Sequence, residues 1–426
     1  MFLDNRGVLA RYNISAYGPI LMLRTTRGLG LLDRLARPRK FWKVFATVGI
    51  PLTVVAMFFM LAILLVGAFR ILLTQPGPSA FNAPRNVLLI PGVNQFIPLT
   101  WGLIGLIVTL VVHELSHAIL SRAADIKVKS LGLLIALVPI GAFAEPDESQ
   151  LLGTDAEAGA KIATRAERLR VFTAGITANF AVAFIALMLF FGPVLSSVAA
   201  VQGLGVIGVV SASPAEKAGL QPGMIVNQID GTGIHNDNDF QAFMNTTHQG
   251  QVVTLHATDH GTERSFVAIL GKNPDSPKGF LGIRGGSDEI LTFLRGLPSG
   301  LNTLQGWGAL IGLPLLVFSG FSGNILGLYR PIGWAVPLGG GIFWIANVLL
   351  WVGWINFYVG LFNCLPASPL DGGQIFRELF KSLTEKVVRS RDYQDRITNA
   401  LVTTLGVVIL ISFLILLVGP YVFRAF

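Results

Sequence analysis

Residues 104–120 read IGLIVTLVVHELSHAIL, an apolar stretch interrupted by three ionisable side chains. A membrane-spanning helix needs about 20 mostly apolar residues, and the run 96–120 supplies them. Inside it, His113-Glu114-Leu115-Ser116-His117 is an H-E-x-x-H motif. On a helix, residues four apart share a face, so both imidazoles can hold one metal ion. Glu114 then projects beside them, close enough to act on a water activated there. The bland alternative is a few polar residues snorkelling from a helix end. The flanking sequence argues against it, because 104–112 and 118–120 are apolar apart from Thr109. An ionisable side chain at membrane depth costs roughly 2.5 kcal/mol or more and is functional by default.

The remaining sequence agrees with a membrane setting. The chain has 426 residues, 52% hydrophobic and 13% charged, with a mean hydropathy of +0.63. Ordinary soluble domains carry roughly a quarter charged residues, so this composition excludes a soluble enzyme of this length. It also excludes a disordered chain, which needs low hydrophobicity and high charge. The one cysteine, Cys364, excludes a disulfide framework and any multi-cysteine metal site. The net charge of +8 could suggest nucleic acid. The basic residues sit beside apolar runs, however, which reads as membrane orientation next to anionic lipid, with no nucleic-acid partner.

Further spans are expected at 45–73, 171–201, 341–365 and 401–423. The stretch 303–329, broken by glycines and Pro314, reads as interfacial or re-entrant. The N-terminus does not read as a signal peptide, because some forty residues precede the first apolar run and that run is too long. Lys and Arg near span ends set sidedness. Arg24, Arg27, Arg34, Arg37, Arg39, Lys40 and Lys43 place the N-terminus in the cytoplasm. Arg122, Lys127, Lys129, Lys161, Arg165, Arg168 and Arg170 do the same for the loop after the second span. The expected organisation is a basic cytoplasmic segment at 1–44 and a membrane region at 45–201 with three spans. An outer domain follows at 203–285, an interfacial or re-entrant segment at 286–340, and a membrane region with two spans at 341–426.

Residues 203–285 regain polarity. Short alternating runs at 206–210, 252–257 and 265–270 predict strands, and Ser213-Pro214 with Gly219 bracket a short helix. Ser213-Pro214-Ala215, Ala218-Gly219-Leu220, Pro222-Gly223-Met224-Ile225 and Ile229-Asp230-Gly231 follow one another. This pattern resembles the PDZ domains of bacterial proteases, with Met224 where such domains usually have Asp. The resemblance implies capture of a peptide C-terminus, at 280–283 or 203–206, or a filter on substrate size. His235, His248, His256 and His260 read as solvated surface residues of this domain.

A catalytic zinc normally takes three protein ligands. With two membrane histidines and one cysteine, the third should be a carboxylate, and Asp371, Glu145 and Asp125 lie next to apolar sequence. Asp371 ends the stretch Asn363-Cys364-Leu365-Pro366-Ala367-Ser368-Pro369-Leu370-Asp371, followed by Gly372-Gly373. Its prolines break a helix, and irregular backbone at membrane depth is tolerated only where it is buried in protein or lines a wet cavity. Sidedness also puts this break at the depth of His113 and His117. An ordinary Asp-Gly turn is the competing reading.

The two motifs together resemble the site-2 proteases, intramembrane zinc metalloproteases that pair H-E-x-x-H with N-x-x-P-x-x-x-L-D-G. The second motif is matched here by Asn363, Pro366, Leu370, Asp371 and Gly372, and a G-x-x-x-N element by Gly175 and Asn179. The resemblance covers roughly residues 96–425. It implies zinc on His113, His117 and Asp371, with Glu114 as base and proton donor. Asn363, and less directly Asn179, would contact substrate or the oxyanion; for Asn179 a helix-packing role beside Gly175 is the equal alternative. It further implies a polytopic α-helical membrane protein with an inserted PDZ-like α+β domain and a re-entrant β-element at 127–145. The substrate would be a transmembrane protein whose span carries Gly, Pro or Asn near the cut, in regulated proteolysis. The rival class is a PDZ-bearing scaffold or transporter with a structural metal; no internal repeat supports a transporter, and a structural metal needs no Glu114.

Overall fold

Apolar runs in lipid fold as helices because a helix satisfies its own backbone N–H and C=O groups. In the computed structural model they form α1 (Arg39–Thr74), α2 (Leu99–Ala123), α3 (Arg165–Leu189) and α4 (Gly341–Asn363), then the amphipathic α5 (Asp371–Val387), then α6 (Arg391–Val422). The structure describes residues 14–17, 20–26, 28–79, 82–87, 90–135, 139–153, 161–259, 261–273, 277–316 and 318–422. Among these, all but α5 of the six have the length and hydropathy to cross a membrane. His260 and Phe423 lie outside the described residues, as do residues 136–138 of the expected β-element.

The third span differs from its expected limits. It runs Arg165–Val194, ending in a π-helical turn at Phe190–Val194 that contains Pro193. Proline lacks an N–H and clashes with the turn before it, so the ladder shifts register there and the helix stops. Residues 198–200 form a short strand instead. The 303–329 stretch contains the helix Leu304–Leu316 and a 3₁₀ turn at Gly323–Leu328. Thirteen residues rise about 20 Å, short of the roughly 30 Å hydrocarbon core.

The chain divides into two units, Met1–Ile185 with Trp351–Phe426, and Ala186–Leu350. In the first, α2, α3, α4 and α5 share a core that includes Ile119, Leu120, Phe172, Ile176, Leu361 and Ile375. Small residues let the helices approach. A Cβ on Gly105 would lie 2.9 Å from the Trp351 carbonyl oxygen, and one on Gly360 2.9 Å from the Phe180 ring. The same unit holds an antiparallel sheet of β1 (Ile14–Tyr17), β2 (Ile20–Thr25), β3 (Val128–Ile135) and β4 (Pro139–Pro146), in that order. The β3–β4 pair falls in the expected β-element. The pairing of β2 with β3, Leu21 opposite Ile135 and Leu23 opposite Leu133, extends it with strands from the basic segment.

In the second unit, β5 (Leu204–Val209), β6 (Ile225–Ile229), β7 (Val252–Asp259), β8 (Thr262–Ile269) and β9 (Ile283–Gly285) form an antiparallel sheet ordered β8-β7-β6-β5-β9. Period-two burial of Val253, Leu255 and Ala257 turns one face of β7 into the core. The helix Pro214–Ala218 is capped as its sequence suggests: Ser213 accepts from the Glu216 N–H, and Gly219 closes it at φ 91°. Met224 is buried in this core.

Candidate metal centre

His113 and His117 project from one face of α2, one turn apart, onto α3. Three residues of α3 at four-residue spacing receive them. The Val171 carbonyl oxygen lies 2.7 Å from His117 Nδ1. The Asn179 amide lies 3.2 Å from His113 Nδ1. Gly175, between them, leaves room for the rings; a Cβ there would stand 2.6 Å from His113 Cε1 and from His117 Nε2. The two helices therefore run antiparallel, and a stripe one side chain wide on α3 aims both imidazoles the same way.

The opposing group comes from far along the chain. Asp371 opens α5, immediately after the loop that breaks α4. The loop doubles back tightly. A Cβ on Gly373 would lie 2.7 Å from the Ala367 carbonyl carbon, and one on Gly372 would collide with the Cys364 carbonyl oxygen. Both glycines are required for space. Asp371 is thus the first residue of a helix and not a turn residue. The N-terminal end of that helix favours its negative charge.

Asp371 Oδ2 lies 3.0 Å from His113 Nε2 and 3.1 Å from His117 Nε2, and the two Nε2 atoms are 3.2 Å apart. Ligands at about 2.0–2.1 Å from a tetrahedral zinc sit about 3.3 Å from one another. The triangle matches that to a few tenths of an ångström, and two imidazoles with one carboxylate are zinc donors. All three side chains are mostly buried. Among the described residues these three form the one His/Cys/Asp/Glu cluster able to hold a metal ion.

Glu114 does not join the triangle. Its Oε2 accepts a 2.9 Å hydrogen bond from the Ala144 N–H of β4, the end strand of its sheet. The other two carboxylate candidates are engaged elsewhere. Asp125 pairs with Arg39 at 2.6 and 2.9 Å, and Glu145 accepts from Ser130 at 2.6 Å. Asn363 closes α4, partly buried, and among the described residues it makes no hydrogen bond to the triad. His235, His248 and His256 are exposed in the second unit.

Sequence reasoning missed the Val171 carbonyl and the Ala144 N–H, since backbone atoms carry no residue identity. It also missed the support behind Asp371. Arg168 of α3 grips Glu378 of α5 through Nε and Nη2, each at 2.8 Å, and Arg165 reaches Glu385 at 2.6 Å. These rungs tie the helix that carries Asp371 to the helix that receives the imidazoles.

The family model described as Peptidase family M50 matches residues 101–413. The chain is 28% identical to an uncharacterised protein of Methanocaldococcus jannaschii, over 88% of this chain and 81% of that one. It is 26% identical to a Clostridium perfringens protein named "Putative zinc metalloprotease", over 71% of this chain and 93% of the relative. It is also 26% identical to the zinc metalloprotease RasP of Shouchella clausii, over 52% of each chain.

Proposed function

This chain belongs to peptidase family M50, the site-2 protease family, and is an integral membrane zinc metalloprotease, and we propose that it cuts a peptide bond within or next to a transmembrane segment of a membrane protein. The observation that carries this reading is the meeting of His113 and His117 with Asp371, a residue 254 positions from His117, beside a carboxylate, Glu114, that stays outside the triangle. In this reading His113, His117 and Asp371 hold the zinc. When bound, zinc supplies Lewis-acid activation of water and of the substrate carbonyl. Glu114 takes the proton from the attacking water and returns it to the leaving amine.

A substrate helix hides its peptide bonds in its own ladder and must unwind to present one. The freed backbone groups need partners in hydrocarbon. The end strand β4 lies against Glu114 and offers those partners as a re-entrant edge. A strand that adds there competes with Glu114 for the Ala144 N–H, which couples substrate pairing to release of the base. The PDZ-like sheet at 203–285 has a supporting role, binding a peptide end or limiting substrate size on the outer side of the membrane. Of the two loops considered for that role, 280–283 has Phe280 and Ile283 paired in strands with Gly271 and Val209. In the other, the Gly203 and Val206 N–H groups are spent on the His235 and Met224 carbonyls. The basic residues near the spans support a cytoplasmic N-terminus and a metal centre nearer the cytoplasm. We assign the activity to regulated proteolysis of membrane proteins.

Replacing Glu114 with Gln tests the reading. The variant is expected to keep stoichiometric zinc and to lose cleavage of a co-expressed membrane substrate by 10²-fold or more, about the worth of a general base. Cleavage at the wild-type rate would remove the enzymatic assignment of this site.

A further inference from the structure

We propose that Asn179 is a positioning residue for the metal: its side-chain Oδ1 accepts the Nδ1 proton of His113 and so sets that ring to present Nε2 to the cation. The inference rests on the metal centre proposed above and assigns Asn179 a role other than contact with substrate or oxyanion.

The two imidazoles are supported differently. His117 Nδ1 faces the Val171 carbonyl at 2.7 Å. A carbonyl oxygen only accepts, so Nδ1 carries the proton and Nε2 keeps its lone pair for a metal. His113 has no carbonyl at Nδ1. It has Asn179, fully buried, with Nδ2 at 3.2 Å and with Oδ1 lacking any hydrogen-bond partner. An amide can serve either tautomer. With Nδ2 toward the ring, Nδ1 accepts and the ring proton sits on Nε2, aimed at Asp371 Oδ2 at 3.0 Å. That proton closes the donor to a cation. With Oδ1 toward the ring, the proton sits on Nδ1 and Nε2 is open.

The two ends of the amide are alike in size, so a half-turn about its last torsion exchanges them without repacking. The turn also gives the one unpartnered oxygen of this group a donor. Fixing a ligand imidazole through its second nitrogen is the general way a protein orients a metal-binding histidine. Here α3 does it twice, eight residues apart: once with a backbone carbonyl that cannot change roles, once with a side chain that can.

The test uses the full chain purified in detergent, with zinc affinity measured by chelator competition and Co²⁺ as a spectroscopic probe. Asn179→Leu removes the acceptor and is expected to weaken zinc binding about 10–100-fold and to alter the Co²⁺ ligand-field bands. Asn179→Asp presents only acceptors to Nδ1–H and is expected to bind zinc at least as tightly as the wild type. A donor role toward substrate predicts the opposite pattern: unchanged affinity and bands in both variants, with turnover lost in both. That pattern overturns the proposal. If the Leu variant does not fold, weaker zinc binding by the Asp variant overturns it, and retained binding with retained turnover upholds it. His113→Ala and Asp371→Ala are the reference. Should they bind zinc like the wild type, the metal centre itself is wrong and the Asn179 result is read no further.

Discussion

Gly175 and Gly231 are the same residue put to unlike uses. Gly175 lies inside α3 with ordinary helical backbone, and a side chain there would strike both histidine rings. Gly231 turns the chain after β6 at φ 80°, with nothing within 4 Å of where a Cβ would be. The first glycine is a space requirement and the second a torsion requirement. The membrane unit follows the first pattern widely. Gly102, Gly105, Gly360 and Gly373 all have ordinary φ and crowded surroundings. Lipid gives helices no hydrophobic reason to associate, so close approach has to supply the attraction. The sheet unit is built by burial of alternate residues; Gly231, Gly250 and Gly261 turn its chain at positive φ in open space, while Gly205 and Gly285 sit crowded within strands.

Substituting Ala at both positions makes the contrast measurable and gives the largest expected effect. In Gly175→Ala the rings must move by several tenths of an ångström, because their contacts at 2.6 Å are well inside van der Waals distance. Misplacement of that order near a reacting centre costs up to about 10²-fold in rate. We expect kcat/KM to fall about that far, with weaker zinc binding. Gly231→Ala costs about 1 kcal/mol of backbone strain in the sheet unit, with cleavage unaltered. Equal losses of activity in the two variants would erase the distinction.

The contrast also explains what could be read from the sequence. The H-E-x-x-H spacing survives folding because a helix maps residues four apart onto one face, so His113 and His117 were legible. Asp371 was legible through its prolines and its depth. The Ser213 cap and the alternation in β7 were legible because both are local. Gly175 could be matched to a motif, but its reason is a pair of rings on another helix. The pairing of β2 with β3 joins segments more than a hundred residues apart through backbone atoms. The Arg168–Glu378 pair spans 210 residues, and neither partner stands out among the chain's charges.

That pair gives the intermediate effect. Arg168 and Glu378 have side-chain exposures of 18% and 12%, against 57% for Arg264 in its pair with Asp259 on the sheet. Removing one partner of a buried pair costs about 3–5 kcal/mol, because the other charge is left uncompensated. Arg165 remains 3.7 Å from Glu378, so for Arg168→Met we expect about 2 kcal/mol. The measurement is the temperature at which the solubilised chain releases zinc. The double change Arg168→Met with Glu378→Leu should recover most of the loss, since an apolar pair of similar volume is tolerated at such sites. Arg264→Met should stay within about 0.5 kcal/mol of the wild type. A double variant no better than the single would show that the charges themselves hold α5 in place.

The smallest effect lies wholly in the sheet unit, at its buried carboxylate. Asp237 is 7% exposed and begins the helix Asp237–Met244, where a negative charge is normally welcome. Its Oδ2 accepts from the Glu289 N–H at 3.3 Å, while Oδ1 has no partner. Burial, with Glu289 and Asp288 adding like charge, pushes its carboxyl up to about 6; burial, with the charges of Asp237 and Asp288, holds the Tyr329 hydroxyl above the usual phenol range. A raised carboxyl means the folded state binds more protons than the unfolded one between about pH 4 and 6. Stability therefore falls as pH rises through that window and stays low above it. Asp237→Asn keeps an acceptor for Glu289 and removes the charge. At pH 7.5 it should raise the stability of β6 and β7 by about 1 kcal/mol, the two-unit shift discounted for solvent reaching the carboxyl. The gain should shrink toward zero as pH drops to 4. Amide exchange protection in the full chain reads this out. A gain that grows on acidification would mean that the helix terminus, and not burial, governs this charge, and that the sheet unit treats its buried polar groups as the membrane unit treats Asp371.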